Sequence, residues 1–505
     1  MTTLEALLRN SGLPAVSGAD IAVSGVDYDS RTTVAGSVFV AIPGAHSDGH
    51  SHAREAVERG AVAVVAEHVP APSIPAGIPL VIVADSRAAL APLAAEIAGH
   101  PSRRLCIAGI TGTDGKTTTT TMLHAAWRAC GLRAGAMSTV DFRVDDSVTI
   151  NDTRQTTPEA VDLQRRLRTL VDAGCTHAAV ETSSHALALH RVDCVDFRAA
   201  VFTRITSEHL DVHGTQAEYL EAKARLGHAV SARHDGIMVL DADDEIGYPR
   251  LSTIAVAQRL TYSASAAAGA DLCAESVTAD AGGVRFTALT PWGRTAVQLR
   301  LAGRFNVANA LAAVAAACAT GGNLEGAVRG LGDLDHVSGR MERVDLGQPF
   351  SVVIDYAHTA DSLERVLSEL RAATPGRLWV VFGSAGERDR PKRAEMGAIA
   401  ARLADVVVVT DEDPREEDRE AILEEIAAAA RAHGARDSDS LHVIPDREAA
   451  IDFAIQGAAA GDTVLCAGKG HESSIISGRC KLPWSEHDTV ERAVARRLHG
   501  NPPPA

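Results

Sequence analysis

The sequence has few of the features that mark membrane, secreted and nucleic-acid-binding proteins. Its 49 basic residues are outnumbered by 65 acidic ones, giving a net charge of −16, which argues against broad binding to a phosphate backbone. No run approaches the roughly 18 uncharged apolar residues of a membrane span, and the N-terminus lacks a signal peptide's apolar core. The eight cysteines are scattered without a CxxC pair, so we expect reduced thiols and a cytoplasmic protein.

Aromatic residues are also scarce, at 4% of the 505 residues, whereas short β-branched runs are frequent. Runs such as VAVVAE (62–67), SVVIDYA (351–357) and DVVVVTD (405–411) alternate with longer amphipathic segments. Continuous apolar strands that alternate with helices are typical of parallel sheets covered on both faces. The length is too great for one compact core, so we predict an α/β protein with two or three domains.

Two polar stretches suggest where the domains meet. HPSRR (100–104) precedes an apolar strand, and LDHVSGR (334–340) separates a predicted helix at about 306–320 from the next strand. These stretches predict domains at residues 1–101, 102–336 and 337–505, each of an ordinary domain size.

A glycine-rich loop predicts a nucleoside triphosphate site. Residues 105–120 read LCIAGITGTDGKTTTT, in which an apolar strand, a glycine-rich turn and a helix beginning at Thr117 follow one another. Glycines let backbone N–H groups turn towards phosphate, and the helix N-terminus adds a favourable dipole. Lys116 is expected to contact the β- and γ-phosphates, and the Thr117 hydroxyl to bind Mg²⁺.

Two further segments place acidic and imidazole groups after predicted strands. They are ETSSHAL (181–187) and VFTRITSEHLDVHG (201–214), and open α/β sheets bind ligands at such strand ends. Glu181 and His209 are therefore candidate ligands of Mg²⁺, which would neutralise charge during phosphoryl transfer.

The ordered motifs resemble those of the Mur ligase family. They are GITGTDGKTTTT, ETSSHAL, FTRITSEHLDVHG with Lys223 in EAKARL, GRFNVANALAA, GRMERV, DYAHTADSLERVL and GKGHE. The resemblance spans residues 25 to 490 and is greatest to the MurE-type members, which add the third residue of the stem peptide. It implies a three-domain α/β architecture with a UDP-binding N-terminal domain, a central P-loop ATPase domain and a C-terminal Rossmann-like domain.

The resemblance also implies an activity, in which ATP and Mg²⁺ support ligation of a diamino acid to UDP-N-acetylmuramoyl-L-alanyl-D-glutamate. It implies no nucleic-acid or membrane partner, and we expect a monomer. Three alternatives remain open: a Mur-like ligase of specialised metabolism, a folylpolyglutamate synthase, and a P-loop ATPase that does not ligate.

By the same resemblance, five residues are catalytic: Lys116, Lys223 as a carbamylated metal ligand, His209, Glu181 and Arg340. The implied metal ligands are Thr117, Glu181, His209 and the carbamate of Lys223. The implied nucleotide-binding residues are Gly112, Thr113, Asp114, Gly115, Lys116, Thr117, Thr118, Asn306, Arg340 and Asp355.

The implied substrate residues fall into two groups. Those for the UDP-sugar and its peptide are Ser30, Ala45, His46, Ser47, Thr156, Thr157, Ser183 and Arg191. Those for the incoming amino acid are Arg388, Asp413, Arg415, Gly468 and Glu472. Arg191 suits a glutamyl carboxylate, because a guanidinium pairs with it through two hydrogen bonds.

Several positions depart from the family's motifs. Asp114 stands where GTNGKT is commoner, Glu208 replaces the aspartate of DHLD, and Arg204 replaces the asparagine of FTNL. Asp413 replaces the asparagine of DNPR, the form that accompanies meso-diaminopimelate. A carboxylate there favours a bare ammonium, so it predicts L-lysine or L-ornithine, although Arg415 favours a second carboxylate.

Overall fold

A computed structural model describes residues 2–16, 20–44, 47–151, 153, 155–206, 208, 210–267, 269–280, 283–387 and 390–500. The chain divides into two compact units. The first contains Met1–Thr261 and Ala315–Asn323, and the second contains Tyr262–Val314 and Leu324–Ala505. Among the described residues, no helix is long and apolar enough to cross a membrane.

The first unit contains two main parallel sheets with helices against them. Its strands are β1 (Thr2–Thr3), β2 (Ala22–Val23), β3 (Gly25–Asp27), β4 (Ser37–Val40), β5 (Ala63–Ala66), β6 (Leu80–Ile82), β7 (Cys106–Thr111), β8 (Ala134–Met137), β9 (Asp141–Val144), β10 (Ser147–Ile150), β11 (His177–Glu181), β12 (Phe197–Phe202), β13 (Ile237–Asp241) and β14 (Gln258–Ser263), whose end belongs to the second unit. Its helices are α1 (Leu4–Asn10), α2 (Ala53–Glu58), α3 (Ser86–Ala98), α4 (Lys116–Ala129), α5 (Ala160–Asp172), α6 (Ser184–Ala188), α7 (Leu210–His213), α8 (Gln216–Ser231) and α9 (Gly247–Leu251).

Strand order explains where a ligand can bind in the first unit. The N-terminal sheet is parallel, in the order β3-β4-β5-β6. The larger sheet has the parallel order β8-β11-β7-β12-β13, with the antiparallel hairpin β9–β10 beside β8. Because β11 and β12 lie on opposite sides of β7, the carboxyl end of β7 is a topological switch point, where such sheets bind ligands.

Helix α5 shows how the sequence pattern builds this core. Its apolar residues Leu163, Leu167, Leu170 and Val171 recur at helical spacing and are buried in one cluster with the sheet. A side chain at Gly135 of β8 would place a Cβ only 2.2 Å from Leu170, so glycine permits the close approach. The helix thus covers one face of the sheet. In the chain, it directly follows the segment that contains Thr156 and Thr157.

The second unit contains a six-stranded sheet, β18-β19-β23-β20-β21-β22, parallel except for β18. Its strands are β15 (Leu272–Asp280), β16 (Gly283–Thr290), β17 (Gly293–Leu299), β18 (Glu342–Arg343), β19 (Ser351–Asp355), β20 (Leu378–Phe382), β21 (Val406–Val409), β22 (Leu441–Val443), β23 (Thr463–Ala467), β24 (Ser474–Ser477) and β25 (Cys480–Pro483). Its helices are α10 (Asn306–Ala319), whose end belongs to the first unit, α11 (Leu324–Gly332), α12 (Ala360–Ala373), α13 (Pro391–Leu403), α14 (Arg419–Ala432), α15 (Arg447–Gly457) and α16 (Glu486–His499). The antiparallel strands β15-β16-β17 also belong to the second unit and are not part of the six-stranded sheet.

A buried ion pair joins the N-termini of α15 and α16. Arg447 and Glu486 are 2% and 1% exposed, and Arg447 Nε donates to Glu486 Oε2 at 2.9 Å. Arg447 also donates to the carbonyls of Asp411 (3.0 Å), which follows β21, and Ala467 (2.8 Å), which ends β23. The pair therefore fixes the edge of the sheet that carries the predicted amino-acid site.

Replacing Glu486 with glutamine should lower the free energy of unfolding by about 3–5 kcal/mol, because a buried guanidinium loses its counter-charge. Urea denaturation followed by far-UV circular dichroism measures the change. The matched control is Glu416→Gln, which breaks an exposed pair with Arg479 and should cost about 1 kcal/mol or less. Equal effects of the two changes would contradict the structural role of the buried pair.

Candidate functional site

The phosphate loop lies at the switch point of the large sheet. It runs from Thr111, the last residue of β7, to α4, which begins at Lys116 and confirms the predicted helix start to within a residue. In the parallel register, Ile110 is opposite Glu181 of β11 and Thr111 is opposite Phe202 of β12. The ends of three strands thus bring the P-loop, Glu181 and Thr203 together.

The loop is held by backbone contacts to the segment after β12. A Cβ at Gly112 would lie 2.0 Å from Thr203 Oγ1, so only glycine fits there. Thr113 N donates to the Arg204 carbonyl at 2.7 Å, and Thr203 Oγ1 donates to the Asp114 carbonyl at 2.6 Å. The Arg204 side chain is exposed, so Arg204 supports the loop through its backbone carbonyl. This contact does not depend on the side chain, so it is kept although arginine replaces the asparagine of the family's motif.

Lys116 lies against its own loop. Its Nζ donates to the carbonyls of Gly112 (3.1 Å) and Thr113 (2.7 Å), and its side chain is half-buried. The ammonium is therefore positioned within the loop, where a bound phosphate oxygen can take the place of a carbonyl.

Glu181 is fixed by three donors. The carboxylate is 1% exposed and accepts hydrogen bonds from Thr117 Oγ1 (3.1 Å), Thr139 N (2.8 Å) and Thr139 Oγ1 (2.9 Å). Thr117 is the P-loop hydroxyl, so the two predicted oxygen ligands lie within one hydrogen bond of each other. Hard oxygen donors in this arrangement fit Mg²⁺.

Lys223 reaches the same loop from α8. It is 1% exposed, its Nζ donates to the Gly112 carbonyl at 2.7 Å, and it lies 4.3 Å from the centre of the Tyr219 ring. Burial, and secondly the charge of Lys116, lower the pKa of the Lys223 amine well below its usual range. A neutral amine is the form that reacts with CO₂, so the environment fits the predicted carbamate.

The segment 156–159 joins the predicted metal end of the site to the predicted peptide end. Thr157 Oγ1 donates to the Glu181 carbonyl at 2.8 Å and accepts from Ser183 N at 3.0 Å. Ser183 caps α6, accepting from Ala186 N at 3.1 Å, and Thr156 Oγ1 lies 3.0 Å from Thr139 Oγ1. These residues form one hydrogen-bonded group beside the P-loop.

Arg191 also joins this group, donating to the Thr157 carbonyl at 3.0 Å. Further from it, Ser30 donates to Glu55 Oε2 at 3.0 Å, and Ser47 Oγ lies 2.9 Å from His52 Nε2. Ala45, His46, His209 and Arg388 lie outside the described residues, so their predicted roles stay predictions.

In the second unit, three residues are predicted to bind the nucleotide: Asn306 at the start of α10, Asp355 at the end of β19, and Arg340 shortly before β18. Asn306 starts α10 and donates to the Ala302 carbonyl at 2.6 Å. Asp355, at the end of β19, accepts from Met341 N (2.7 Å) and Ala357 N (2.8 Å). Arg340 lies 4.7 Å from the centre of the Tyr356 ring, so Asp355 holds the backbone next to this arginine.

The residues predicted to bind the amino acid surround a lysine that the sequence analysis did not assign. Lys469 is 0% exposed, donates to Asp413 Oδ1 at 2.9 Å, and also pairs with Glu472. Asp413 Oδ1 accepts in addition from Ile476 N at 2.9 Å. Gly468 (φ +101°) brings its backbone close to Glu412, since a Cβ there would lie 3.1 Å from Glu412 Oε2.

Arg415 borders this cluster with a left-handed backbone (φ +56°) that is fixed by pairing with β24, where its N donates to the Ile476 carbonyl at 3.0 Å. Its Nε is buried and makes no hydrogen bond within the described part of the chain. Two carboxylates, Asp413 and Glu472, thus pair with one buried cation, Lys469.

Several contributing residues were missed by sequence reasoning. Lys469 lies in the GKGHE motif between two glycines, and nothing in that sequence indicates that the lysine is buried. Thr139 follows the carboxyl end of β8, so the rule that found Glu181 could have found it. Glu159 lies at the start of α5. Acidic residues are common at helix starts, so the sequence gives no sign of a special role for it.

Comparison with known proteins places the chain among characterised relatives. Three domain families match it: "Mur ligase family, catalytic domain" at residues 22–97, "Mur ligase middle domain" at 110–317, and "Mur ligase, glutamate ligase domain" at 339–470. A UDP-N-acetylmuramyl-tripeptide synthetase of Roseiflexus sp. (strain RS-1) is 47% identical over 489 residues, covering 95% of this chain and 96% of the relative. The chain belongs to the Mur ligase family.

Other relatives agree over the full length of this Mur ligase. A UDP-N-acetylmuramoyl-L-alanyl-D-glutamate–2,6-diaminopimelate ligase of Geobacillus kaustophilus (strain HTA426) is 41% identical, covering 95% of this chain and 96% of the relative. A solved structure with that enzyme name superposes with a TM-score of 0.67 at 28% identity, covering 99% of this chain and all of the other. The predicted three-domain α/β Mur architecture and the prediction of an ATP-dependent ligase are confirmed.

Proposed function

We propose that this Mur ligase uses ATP to join a diamino acid to the D-glutamyl carboxylate of UDP-N-acetylmuramoyl-L-alanyl-D-glutamate, in peptidoglycan synthesis. The observation that carries the proposal is the full-length similarity to relatives whose names give this UDP-dipeptide or its tripeptide product. The joined P-loop, Glu181 and Lys223 support it, because a ligase needs metal ligands beside the phosphates, whereas simple nucleotide binding does not need a lysine buried beside the P-loop. The relatives' names favour this activity over the three alternatives.

Residues at the β7 end would hold ATP and Mg²⁺. Phosphate oxygens would replace the carbonyls that Lys116 now contacts, and Thr117, Glu181 and a carbamate on Lys223 would supply oxygen ligands to the metal. Bound Mg²⁺ supplies charge neutralisation for the triphosphate and the attacking carboxylate. The close placement of Thr117 Oγ1 and Glu181 Oε1, at 3.1 Å, fits that role.

The reaction follows from positioning. An oxygen of the D-glutamyl carboxylate attacks the γ-phosphorus of ATP, the bond to the bridging oxygen breaks, and ADP leaves. The unprotonated amine of the diamino acid then attacks the acyl carbon, an amide forms, and inorganic phosphate leaves. Lys116 stabilises negative charge on the transferring group, and Arg191 orients the glutamyl residue, so no side-chain nucleophile is required.

Phosphate release tests the proposal. ATP hydrolysis should require both UDP-N-acetylmuramoyl-L-alanyl-D-glutamate and a diamino acid, and mass spectrometry should detect the UDP-tripeptide. Phosphate release that is independent of the UDP-dipeptide would contradict ligation. We further expect the protein to be cytoplasmic and monomeric. Light scattering of the purified chain checks the monomeric state.

The charge balance around Lys469 sets the expected acceptor. With asparagine at position 413, Lys469 would face one carboxylate, that of Glu472, whereas Asp413 supplies a second. Burial raises the pKa of the neighbouring Glu412 carboxyl, which favours its uncharged form. An acceptor that brings an extra cation is therefore favoured here relative to relatives with DNPR.

We predict that the wild-type protein prefers L-lysine or L-ornithine, and that Asp413→Asn shifts kcat/KM towards meso-diaminopimelate by about tenfold. The comparison uses all three diamino acids in both proteins. Glu416→Gln, an exposed carboxylate in the same loop, is the control for net charge. A wild-type preference of tenfold or more for meso-diaminopimelate would show that Asp413 does not select against it, without contradicting the ligase activity.

A further inference from the structure

Two arginines share one buried carboxylate between the N-terminal sheet and α5, within the first unit. Arg191 Nη2 lies 2.8 Å from Glu159 Oε1, and Arg87 Nη1 lies 3.6 Å from the same oxygen. The side chains of Arg87, Glu159 and Arg191 are 18%, 8% and 12% exposed. We refer to these three residues as the Arg87–Glu159–Arg191 relay.

Each end of the relay is tied to a different segment of the proposed substrate site. Arg87, at the start of α3, donates through Nη2 to the Pro43 carbonyl at 3.1 Å. Pro43 pairs with Asp48 across the loop that contains the predicted UDP-binding residues. At the other end, Arg191 donates to the Thr157 carbonyl at 3.0 Å. The relay therefore connects the loop at 43–48 with the predicted glutamyl-binding group.

The relay also has an excess of donors. Two guanidinium groups against one carboxylate leave one net positive charge in a largely buried place. Arg87 Nη1 and Arg191 Nε are both buried and make no hydrogen bond to any residue that the structure describes. Buried donors of this kind are costly unless a ligand satisfies them, so the surplus charge points to an anionic group of a ligand.

Other contacts already hold the same boundary. Arg165 of α5 pairs with Asp27 of β3 at 3.0 Å, and Tyr28 donates to Asp162 at 2.8 Å. Neither pair makes a hydrogen bond or an ion pair with Arg87, Glu159 or Arg191 in the described residues. The N-terminal sheet and α5 are therefore joined independently of the relay, and Arg165 offers a control at the same boundary.

We propose that Glu159 is a positioning residue that holds Arg191 for the D-glutamyl carboxylate and, through Arg87, couples this guanidinium to the loop that binds the UDP diphosphate. This inference rests on the proposed function, because it takes the UDP-dipeptide as the ligand. Without the Glu159 carboxylate, the Arg191 guanidinium keeps, among the described residues, its bond to the Thr157 carbonyl. The glutamyl end of the substrate should therefore lose affinity selectively.

The test compares two ligands that differ only at the glutamyl end. Isothermal titration calorimetry gives the Kd of UDP-N-acetylmuramoyl-L-alanyl-D-glutamate and of UDP-N-acetylmuramoyl-L-alanine for the full-length protein. The variants are Glu159→Gln, Arg87→Met, the double variant and the control Arg165→Met. Glu159→Gln should reduce the affinity ratio of the two ligands by about tenfold, within the range of coupling between contacting residues.

Arg87→Met should reduce the same ratio less, and the double variant should match Glu159→Gln, because Arg87 acts through Glu159. Arg165→Met should leave the ratio unchanged. In steady-state assays, Glu159→Gln should raise KM for the UDP-dipeptide more than it lowers kcat. KM for ATP should stay within about twofold.

The possible outcomes separate this inference from the proposed function. Equal weakening of both ligands by Glu159→Gln, or a ratio changed as much by Arg165→Met, would mean a purely structural pair and would overturn the relay. If Glu159→Gln does not fold, an unchanged ratio in Arg87→Met overturns it instead. A wild-type protein that binds both UDP ligands but forms no tripeptide overturns the proposed function alone, and one that binds neither overturns both.

Discussion

Replacing Lys116 with alanine should abolish ATP-dependent ligation while leaving the fold intact. Among the described residues, Lys116 Nζ donates to two carbonyls of its own loop. Its half-buried side chain is not part of the apolar core. Its loss removes a positive charge from the transferring phosphoryl group, so we expect tripeptide formation to fall by about 10³-fold or more. Coupled phosphate-release and mass-spectrometric assays at saturating substrates measure this.

The matched control is Lys481→Ala, which removes an exposed lysine from β25 and should leave turnover unchanged. Circular dichroism and the thermal midpoint of Lys116→Ala should stay close to those of the wild-type protein, which separates lost chemistry from lost folding. If Lys116→Ala retains even a tenth of the wild-type rate, the loop at 112–117 does not bind the reacting phosphates in the way proposed.

The architecture was predictable because local and long-range signals agree. Continuous β-branched runs became β5, β19 and β21, and the glycine-rich turn lies between β7 and α4 as expected. Glu181 was predicted because the carboxyl ends of parallel strands meet at one edge of the sheet. Residues that follow different strands in the sequence therefore lie close together in space. That rule needs only the alternation of strand and helix, and this sequence shows it clearly.

Contacts made by long side chains were not predictable in the same way. Nothing in the sequence indicates that Lys469 lies between Asp413 and Glu472, or that Glu159 serves two arginines from different segments. Such pairs depend on the relative position of elements far apart in sequence, and on burial, which removes the solvent that would otherwise separate the charges. The pairing of Asp413 with Lys469 is therefore visible only in the structure.

Lys223→Ala should reduce ligation almost as strongly, and small carboxylates should restore part of it. The proposed carbamate forms when the neutral amine attacks CO₂, giving R–NH–COO⁻ and releasing one proton. Burial lowers the pKa of Lys223 well below its usual range, which favours the neutral amine. We expect a loss of about 10²-fold or more in bicarbonate-containing buffer, because the metal loses an anionic ligand.

The rescue experiment separates the missing anion from lost packing. Lys223 is fully buried between Tyr219 and the Gly112 carbonyl, so alanine leaves a cavity that formate or acetate can enter. Lys223→Met fills that cavity with an uncharged chain, so it should lose activity equally and should not respond to carboxylates. In the wild-type protein, ¹³C-labelled bicarbonate should give a carbamate resonance that both variants lack. Ligation by Lys223→Ala at more than a tenth of the wild-type rate in CO₂-free buffer would show that Lys223 contributes packing alone.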